Sequence, residues 1–351
     1  MYFIYNSQLN IHNYLYIFMK NNIRFITTFG IAFCAILFAN TKVLAQQDPQ
    51  YTQYMFNSLA LNPAYAGSGE VTSFTFLGRK QWVGIDGGPT TGTLSFDAPF
   101  RSNTMGIGVN LTVDKIAVER NITLNASYAY RIQLSEKGKL ALGLQGGFTQ
   151  FSGDYKSVKT SPDGSVADPA FLENTSKLAP NVGAGIWYND TRFYAGISAP
   201  RLINWQLATD AAIGANGVSF ATERARQFRH YFLTAGYVFD LKGGDLKLKP
   251  SILVKAVQAA PVAIDINANL WFYEKFGVGL SYRTASLLNT GRVGDSIDLL
   301  LEAILSPNLR FGYAYDYSLT ELQKFNSGSH EIMLRYEFSR DINKILSPRY
   351  F

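Results

Sequence analysis

The chain has 351 residues, with 32 Lys and Arg against 26 Asp and Glu, and a single cysteine, Cys34. That length holds one large domain or two ordinary ones, and the net charge of +6 falls to about +3 without the three basic residues of 1–45, too balanced to point to nucleic acid. Aromatics reach 14% while charged residues stop at 17%, below the ~25% of soluble domains, and beyond residue 45 no apolar run reaches the ~18 residues of a spanning helix.

From the start of the chain, Lys20 and Arg24 form a basic region, Phe25 to Ala39 an apolar one, and Val43-Leu44-Ala45 a small-residue cleavage site. This is the pattern of an export signal, so residues 1–45 are expected to be removed. Met19 is a more natural start than Met1, which makes 1–18 an extension of the true leader. Cleavage removes Cys34 and three basic residues, leaving 29 basic against 26 acidic. The mature chain then has no thiol chemistry in an oxidising compartment.

Residues 46–70 form a lead-in unlike either neighbour. Tyr51, Met55 and Leu59 recur at i, i+4 and i+8, which predicts a short helix over 50–61. Asn62-Pro63 and Ala66-Gly67 are turn signals.

From residue 71 onward the pattern has period two. Met105, Ile107, Val109, Leu111 and Val113 alternate with Gly106, Gly108, Asn110, Thr112 and Asp114. Ile122, Leu124, Ala126, Tyr128, Tyr130 and Ile132 face away from Thr123, Asn125, Ser127, Arg131 and Gln133. The same pattern predicts strands over 71–79, 90–98, 104–114, 120–133, 139–151, 180–188, 191–199, 228–240, 245–257, 261–272, 276–285, 296–305, 308–317 and 329–339. Segments of about ten residues, apolar on one face and polar on the other, mark an all-β, antiparallel transmembrane barrel of about 14 strands. A soluble β-sandwich alternates as well, but its loops have no reason to sort by length.

Here they do sort. Every second connection is short, at 101–103, 136–138, 189–190, 242–244, 273–275 and 306–307. The others include all the long ones: 80–89, 152–179, 200–227, 286–295 and 318–328. Short periplasmic turns and long outer loops place both termini of the barrel (71–351) in the periplasm. Tyr128, Tyr130, Tyr188, Tyr237, Phe239, Tyr336 and Phe338 then form one interfacial girdle, and Tyr282, Tyr315 and Tyr317 the other. The terminal Tyr350-Phe351 is of the kind common in assembled outer-membrane proteins.

The polar faces carry Arg79, Asp97, Asp114, Arg131, Arg192, Lys255, Asp265, Arg283, Asp298, Glu302, Arg310, Asp316, Arg335 and Glu337. Both signs are present in similar number, which favours an ion-pair network across the lumen over an open pore of one sign. His230 and His330 lie far apart, without cysteine or a nucleophile motif near them, so neither a metal site, a cofactor nor catalysis is expected.

Exposed, the aromatics of the lead-in would be a liability. The expectation is that 48–66 fold into the periplasmic half of the lumen, with Asn57 and Asn62 bonded to lumen arginines and the tyrosines closing the pore. The rival is that they dock on a periplasmic partner. Either way the candidate residues are Tyr51, Tyr54, Phe56, Asn57, Asn62, Pro63 and Tyr65, with Gln81 and Trp82 of the first outer loop.

The run YTQYMFNSLALNPAYAGSG (51–69), followed by GRKQWVGIDGGPTTGTLSFDAP (78–99), resembles the opening of the PorP/SprF family, outer-membrane proteins of the type IX secretion system of Bacteroidetes. FYAGISAPRL (193–202), HYFLTAGYVFDL (230–241), LKPSILVK (248–255), VGLSYR (278–283), RFGYAYDY (310–317) and HEIMLRYEF (330–338) continue it in order. Gly88, where many relatives carry Ala, is a small departure. The resemblance implies an outer-membrane component needed for secretion or surface attachment of a type IX cargo, often an adhesin, and hence for functions such as gliding motility. It also implies contact with a peptidoglycan-anchored lipoprotein and ring components in the periplasm. Without the resemblance, two other readings stand: a passive channel for small or hydrophobic solutes with an N-terminal hatch, and an outer-membrane enzyme, which the absent motif disfavours.

Overall fold

The computed structural model describes residues 50–100, 103–158, 173–213, 219–242, 245–257, 261–284 and 294–338, without the side chains of 206–226 and 242. The leader, the terminal aromatics, Asp163, Asn216 and Gly243 therefore lie outside the described residues.

Period-two sequences become strands. In chain order these are β1 (Thr72–Lys80), β2 (Thr90–Pro99), β3 (Met105–Ile116), β4 (Glu119–Gln133), β5 (Lys139–Gly153), β6 (Thr175–Asn189), β7 (Phe193–Arg201), β8 (Trp205–Ile213) and β9 (Ser219–Gln227). They continue as β10 (His230–Tyr237), β11 (Phe239–Lys242), β12 (Leu246–Val257), β13 (Ala263–Phe272), β14 (Phe276–Arg283), β15 (Ser296–Ser306), β16 (Leu309–Ser318) and β17 (Ser329–Phe338). Every pairing is antiparallel. β1 through β7 follow one another, β7 pairs with β10, β10 with β12, and β12 through β17 follow in turn. β17 then pairs with β1 from Thr72↔Phe338 to Lys80↔His330. The result is a closed 14-strand barrel with one extra strand, β11, beyond the break at Val238. Closure leaves no unpaired edge, which hydrocarbon does not tolerate.

The alternation fixes which way each side chain faces. β14 alternates strictly between buried and exposed residues, and β17 does so from Glu331 onward. The exposed set is apolar, with Leu144 at 66% and Leu280 at 61%. Those faces are the lipid surface. Tyr128, Tyr130, Tyr237, Phe239, Tyr336 and Phe338 stand exposed on it near the short turns, and Tyr282 and Tyr317 near the loops. His330 sits on the same rim, its Nδ1 2.7 Å from the Tyr313 hydroxyl.

Two expectations need correction. The stretch 200–227 is not a plain loop; it contains the β8–β9 hairpin, a two-stranded sheet separate from the barrel. Trp205, Leu207, Ala211 and Ile213 alternate in β8, but β9 shows no apolar alternation, so a lipid-face criterion passes over the hairpin. β6 begins at Thr175, not 180, because Thr175, Ser176 and Lys177 pair with Gly153, Ser152 and Phe151.

At the loop end, residues 81–89 are clasped from both sides. Val83 N donates to Gly328 O at 2.9 Å, Ser327 N to Val83 O at 2.8 Å, and Ala117 N to Gly87 O at 2.8 Å.

Candidate functional site

Residues 50–66 run inside the barrel, from the loop-side half of the lumen to the end carrying the short turns. The segment is not one helix. It makes three 3₁₀ turns, Tyr54–Phe56, Ser58–Ala60 and Pro63–Tyr65. A continuous helix is unnecessary because the barrel wall supplies partners for backbone groups that a helix would satisfy itself. The last turn is locally encoded: Asn62 Oδ1 accepts from Ala64 N at 2.9 Å and Pro63 takes the first position.

Its loop-side end is held by charge. Glu331 Oε2 and Oε1 accept from Thr52 N at 3.0 Å and Gln53 N at 2.8 Å. Arg79 bridges Asp316 at 2.6 Å and Glu331 at 3.0 Å, and donates to Thr52 Oγ1 at 2.8 Å. Thr52 Oγ1 in turn donates to Asp316 Oδ2 at 2.7 Å. Next to this cluster, Asp265 Oδ2 lies 2.9 Å from Lys255 Nζ and 3.2 Å from Arg283 Nε. Thr52 and its charged partners are nearly inaccessible to water. Their stability rests on mutual pairing, since an unpaired buried ion costs several kcal/mol.

At mid-lumen, Tyr51 Oη meets Thr93 Oγ1 at 2.8 Å and Tyr54 Oη meets Ser251 Oγ at 3.0 Å. Tyr51, Tyr54 and Leu61 pack with Leu77, Phe232 and Leu253, three apolar residues on the lumen face.

The turn-side end is aromatic. The Tyr65 ring stands edge-on to Trp187 at 5.3 Å, and Trp187 stacks on Tyr194 at 5.0 Å. Gly67 closes the segment at φ +72, with Asp97 Oδ1 2.5 Å from its nitrogen and Arg131 Nη1 on its carbonyl.

The structure thus brings Tyr51, Tyr54, Phe56, Asn57, Asn62, Pro63 and Tyr65 into the lumen, with Phe56 half-buried. The partners differ from those expected. Asn57 Oδ1 accepts from Ser95 Oγ at 2.8 Å, and Asn62 Nδ2 donates to Ile186 O at 3.0 Å; neither bonds an arginine. The arginines hold Thr52 and main-chain carbonyls instead, Arg335 Nη1 reaching Phe56 O at 3.3 Å. The segment also extends beyond the turn-side half, because Thr52 sits level with Arg79 and Asp316 near the loop ends of their strands.

Of the predicted lumen charges, Arg79, Asp97, Arg131, Asp265, Arg283, Asp298, Glu302, Asp316, Arg335 and Glu337 are buried, and Asp114, Lys255 and Arg310 half-buried. Arg310 and Arg335 both approach Glu337, at 3.6 Å and 2.9 Å. Arg192 is a correction: it lies exposed in the β6–β7 turn, 2.5 Å from Asp240, outside the lumen. Its register is broken by the turn, where parity no longer predicts facing.

Glu331, Trp187 and Tyr194 escaped the sequence reading. Glu331 shares parity with Arg335 and Glu337 on β17, a signal that was present. Trp187 and Tyr194 fall on the polar phase of their strands, among Gly183, Gly185, Gly196 and Ser198, and aromatics there look like noise until Tyr65 is placed against them.

Between the segment and the loops remains a cavity of about 720 Å³. Tyr51, Ala60 and Leu61 line its base, and Gln81, Trp82 and Pro89 its mouth. Trp82 is held at φ +51, a left-handed conformation uncommon outside glycine.

Several solved outer-membrane barrels are similar. The Acinetobacter baumannii outer membrane protein Omp33 is 12% identical, with 77% of this chain and 100% of that one covered and a TM-score of 0.43. The Ralstonia pickettii toluene transporter TbuX is 10% identical over 80% of this chain and 93% of its own, at 0.49. A Pseudomonas aeruginosa FadL homologue is 14% identical over 83% and 95%, at 0.41. No curated protein matches. The model of one protein family, described as type IX secretion system membrane protein PorP/SprF, matches residues 43–336. With that match running from the luminal segment into the last strand of a closed membrane barrel, the chain belongs to the PorP/SprF family of the type IX secretion system, in the outer membrane.

Proposed function

We propose that this barrel is a non-enzymatic attachment and secretion component, holding one exported partner such as an adhesin at the cell surface and contacting periplasmic type IX machinery through its short-turn end. That machinery includes a peptidoglycan-anchored lipoprotein and ring components. The loop end faces the exterior and both termini the periplasm. The observation that carries the reading is the occupied lumen. Residues 50–67 are bonded to strands on all sides, through Glu331, Arg79, Ser251, Ser95, Ser198 and Asp97. A lumen filled in this way suits a scaffold better than a conduit.

The test is deletion of residues 48–60, with single-channel conductance and secretion recorded on the same variant. The expected result is a silent full-length barrel, a conducting deletion, and one secreted protein that co-purifies with the full-length chain from native outer membrane. Steady conductance or solute uptake by the full-length barrel, with no secreted protein retained, would instead establish the passive channel. Unchanged conductance with lost secretion would make the stretch a docking site for a periplasmic partner.

A further inference from the structure

We propose that the outward face of β1–β4, at its loop end, is a binding surface for the phosphate groups of an outer-leaflet glycolipid. Register puts Lys80 beside Thr90, Thr90 beside Lys115, and Lys115 beside Arg120. All four are exposed. They share the parity of Phe76, Leu94 and Leu111, which stand exposed on the lipid face of the same strands. Neighbouring strands lie about 4.8 Å apart, so the three cations share a patch ~14 Å wide. The same row continues through the hydroxyl residues Ser152 and Ser176.

These cations lack counter-ions. Among the described residues Lys80, Lys115 and Arg120 form no ion pair. Lys80 Nζ donates to neutral oxygens, Gly88 O at 2.9 Å and Thr90 Oγ1 at 3.0 Å. The acids beside them in sequence face the other way. Asp114 accepts from Thr91 Oγ1 at 2.6 Å and Glu119 from Tyr155 Oη at 2.9 Å, and both line the chamber inside the barrel. Lys115 and Arg120 stand directly opposite each other on β3 and β4, and like charges so placed repel. An anion between them removes that cost, and phosphate oxygens accept charge-assisted bonds from Lys and Arg alike.

Position makes that anion a lipid headgroup. The row of Phe76, Leu94 and Leu111 lies four residues toward the short turns, ~13 Å along the strands. At that distance from its interior an apolar band ~25 Å tall gives way to headgroups. Lys and Arg stems lie along apolar surface and bring their charge to that boundary. With the loops outward, as proposed above, the lipid at this level is the phosphorylated glycolipid of an outer leaflet. The inference rests on that orientation.

The test uses the purified full-length barrel in neutral detergent, with fluorescent diphosphoryl lipid A, its dephosphorylated form and phosphatidylglycerol as probes. Diphosphoryl lipid A is expected to bind at least about tenfold more tightly than either other lipid, and excess inorganic phosphate does not displace it. Lys115→Gln combined with Arg120→Gln weakens it by about tenfold with heat-modifiable gel mobility unchanged. Lys80→Gln weakens it by about threefold and keeps the test open if the double variant misfolds. Lys137→Gln with Lys275→Gln, exposed cations at the short turns, leaves binding unchanged. Equal binding of the three lipids, displacement by inorganic phosphate, or equal loss in the two double variants overturns the proposal. Binding is read in detergent and orientation by labelling Asn326 on cells, so the two fail separately. Labelling of Asn326 only after lysis would move the patch to the inner leaflet and overturn the glycolipid assignment, whereas lost binding alone leaves the attachment reading standing.

Discussion

Glu331 is wholly buried, and its carboxylate joins three things: the main chain at Thr52, the main chain at Gln53, and the Arg79 guanidinium. Replacing it with alanine leaves two backbone donors unpaired and Arg79 with a single carboxylate. Glu331→Ala is expected to cost ~3–5 kcal/mol, the range for breaking a buried pair. Glu331→Gln keeps an acceptor and loses less. Urea titration followed by heat-modifiable mobility measures both, and equal midpoints for wild type and Glu331→Ala would show that the carboxylate does not anchor the segment. At the other end, a Cβ on Gly67 would lie 2.7 Å from Arg131 Nη2 and 2.8 Å from Gly106 Cα, at a positive φ. Gly67→Ala therefore combines backbone strain with a clash against a wall that cannot retreat. Its expected effect is a lower urea midpoint together with intermittent channel openings, as the turn-side end of the segment loosens.

The strand is the element on which the membrane acts, and a single step along it changes solvent. Leu111 of β3 stands exposed on the lipid face, while Thr112 lines the chamber. Leu111→Arg is expected to destabilise by ~2–4 kcal/mol, the range for a charge near the midplane, and Thr112→Arg by clearly less. Comparable loss of folded barrel in both variants would overturn the facing of β3. The luminal segment follows a different rule: its turns are stable because distant strands complete their hydrogen bonds. The isolated stretch 50–66 has no reason to keep this shape outside the barrel, since 3₁₀ turns of this length do not persist unaided.

For the whole molecule, closure between β1 and β17 and the sorting of connections by length define two chemically different ends. Asn326 lies in the β16–β17 loop and Gly138 in the β4–β5 turn. With loops outward, a cysteine at Asn326 is expected to react with an impermeant maleimide on intact cells, and one at Gly138 only after lysis. Equal labelling of the two would reject the orientation. Cys34 is the only cysteine in the sequence, so at most one native thiol competes for the label.

What the sequence determined by itself is what a strand decides locally. Lipid-facing Leu280, lumen-facing Arg283 and the short turns at 136–138 and 273–275 each follow from alternation or turn chemistry within a few residues, and so does the strand count of the barrel. Tertiary structure alone decided between the luminal placement of the lead-in and its rival, and how the segment is held. Thr52 meets Glu331 across 279 positions and Asn62 meets Ile186 across 124. No periodicity carries such pairings. Arginines expected to meet asparagines therefore bond Thr52 and backbone carbonyls, and Trp187 and Tyr194 turn inward to receive Tyr65. The β8–β9 hairpin was hidden for a related reason: β9 has no apolar alternation, the signal that makes a membrane strand legible, and β8 alone does not predict a hairpin.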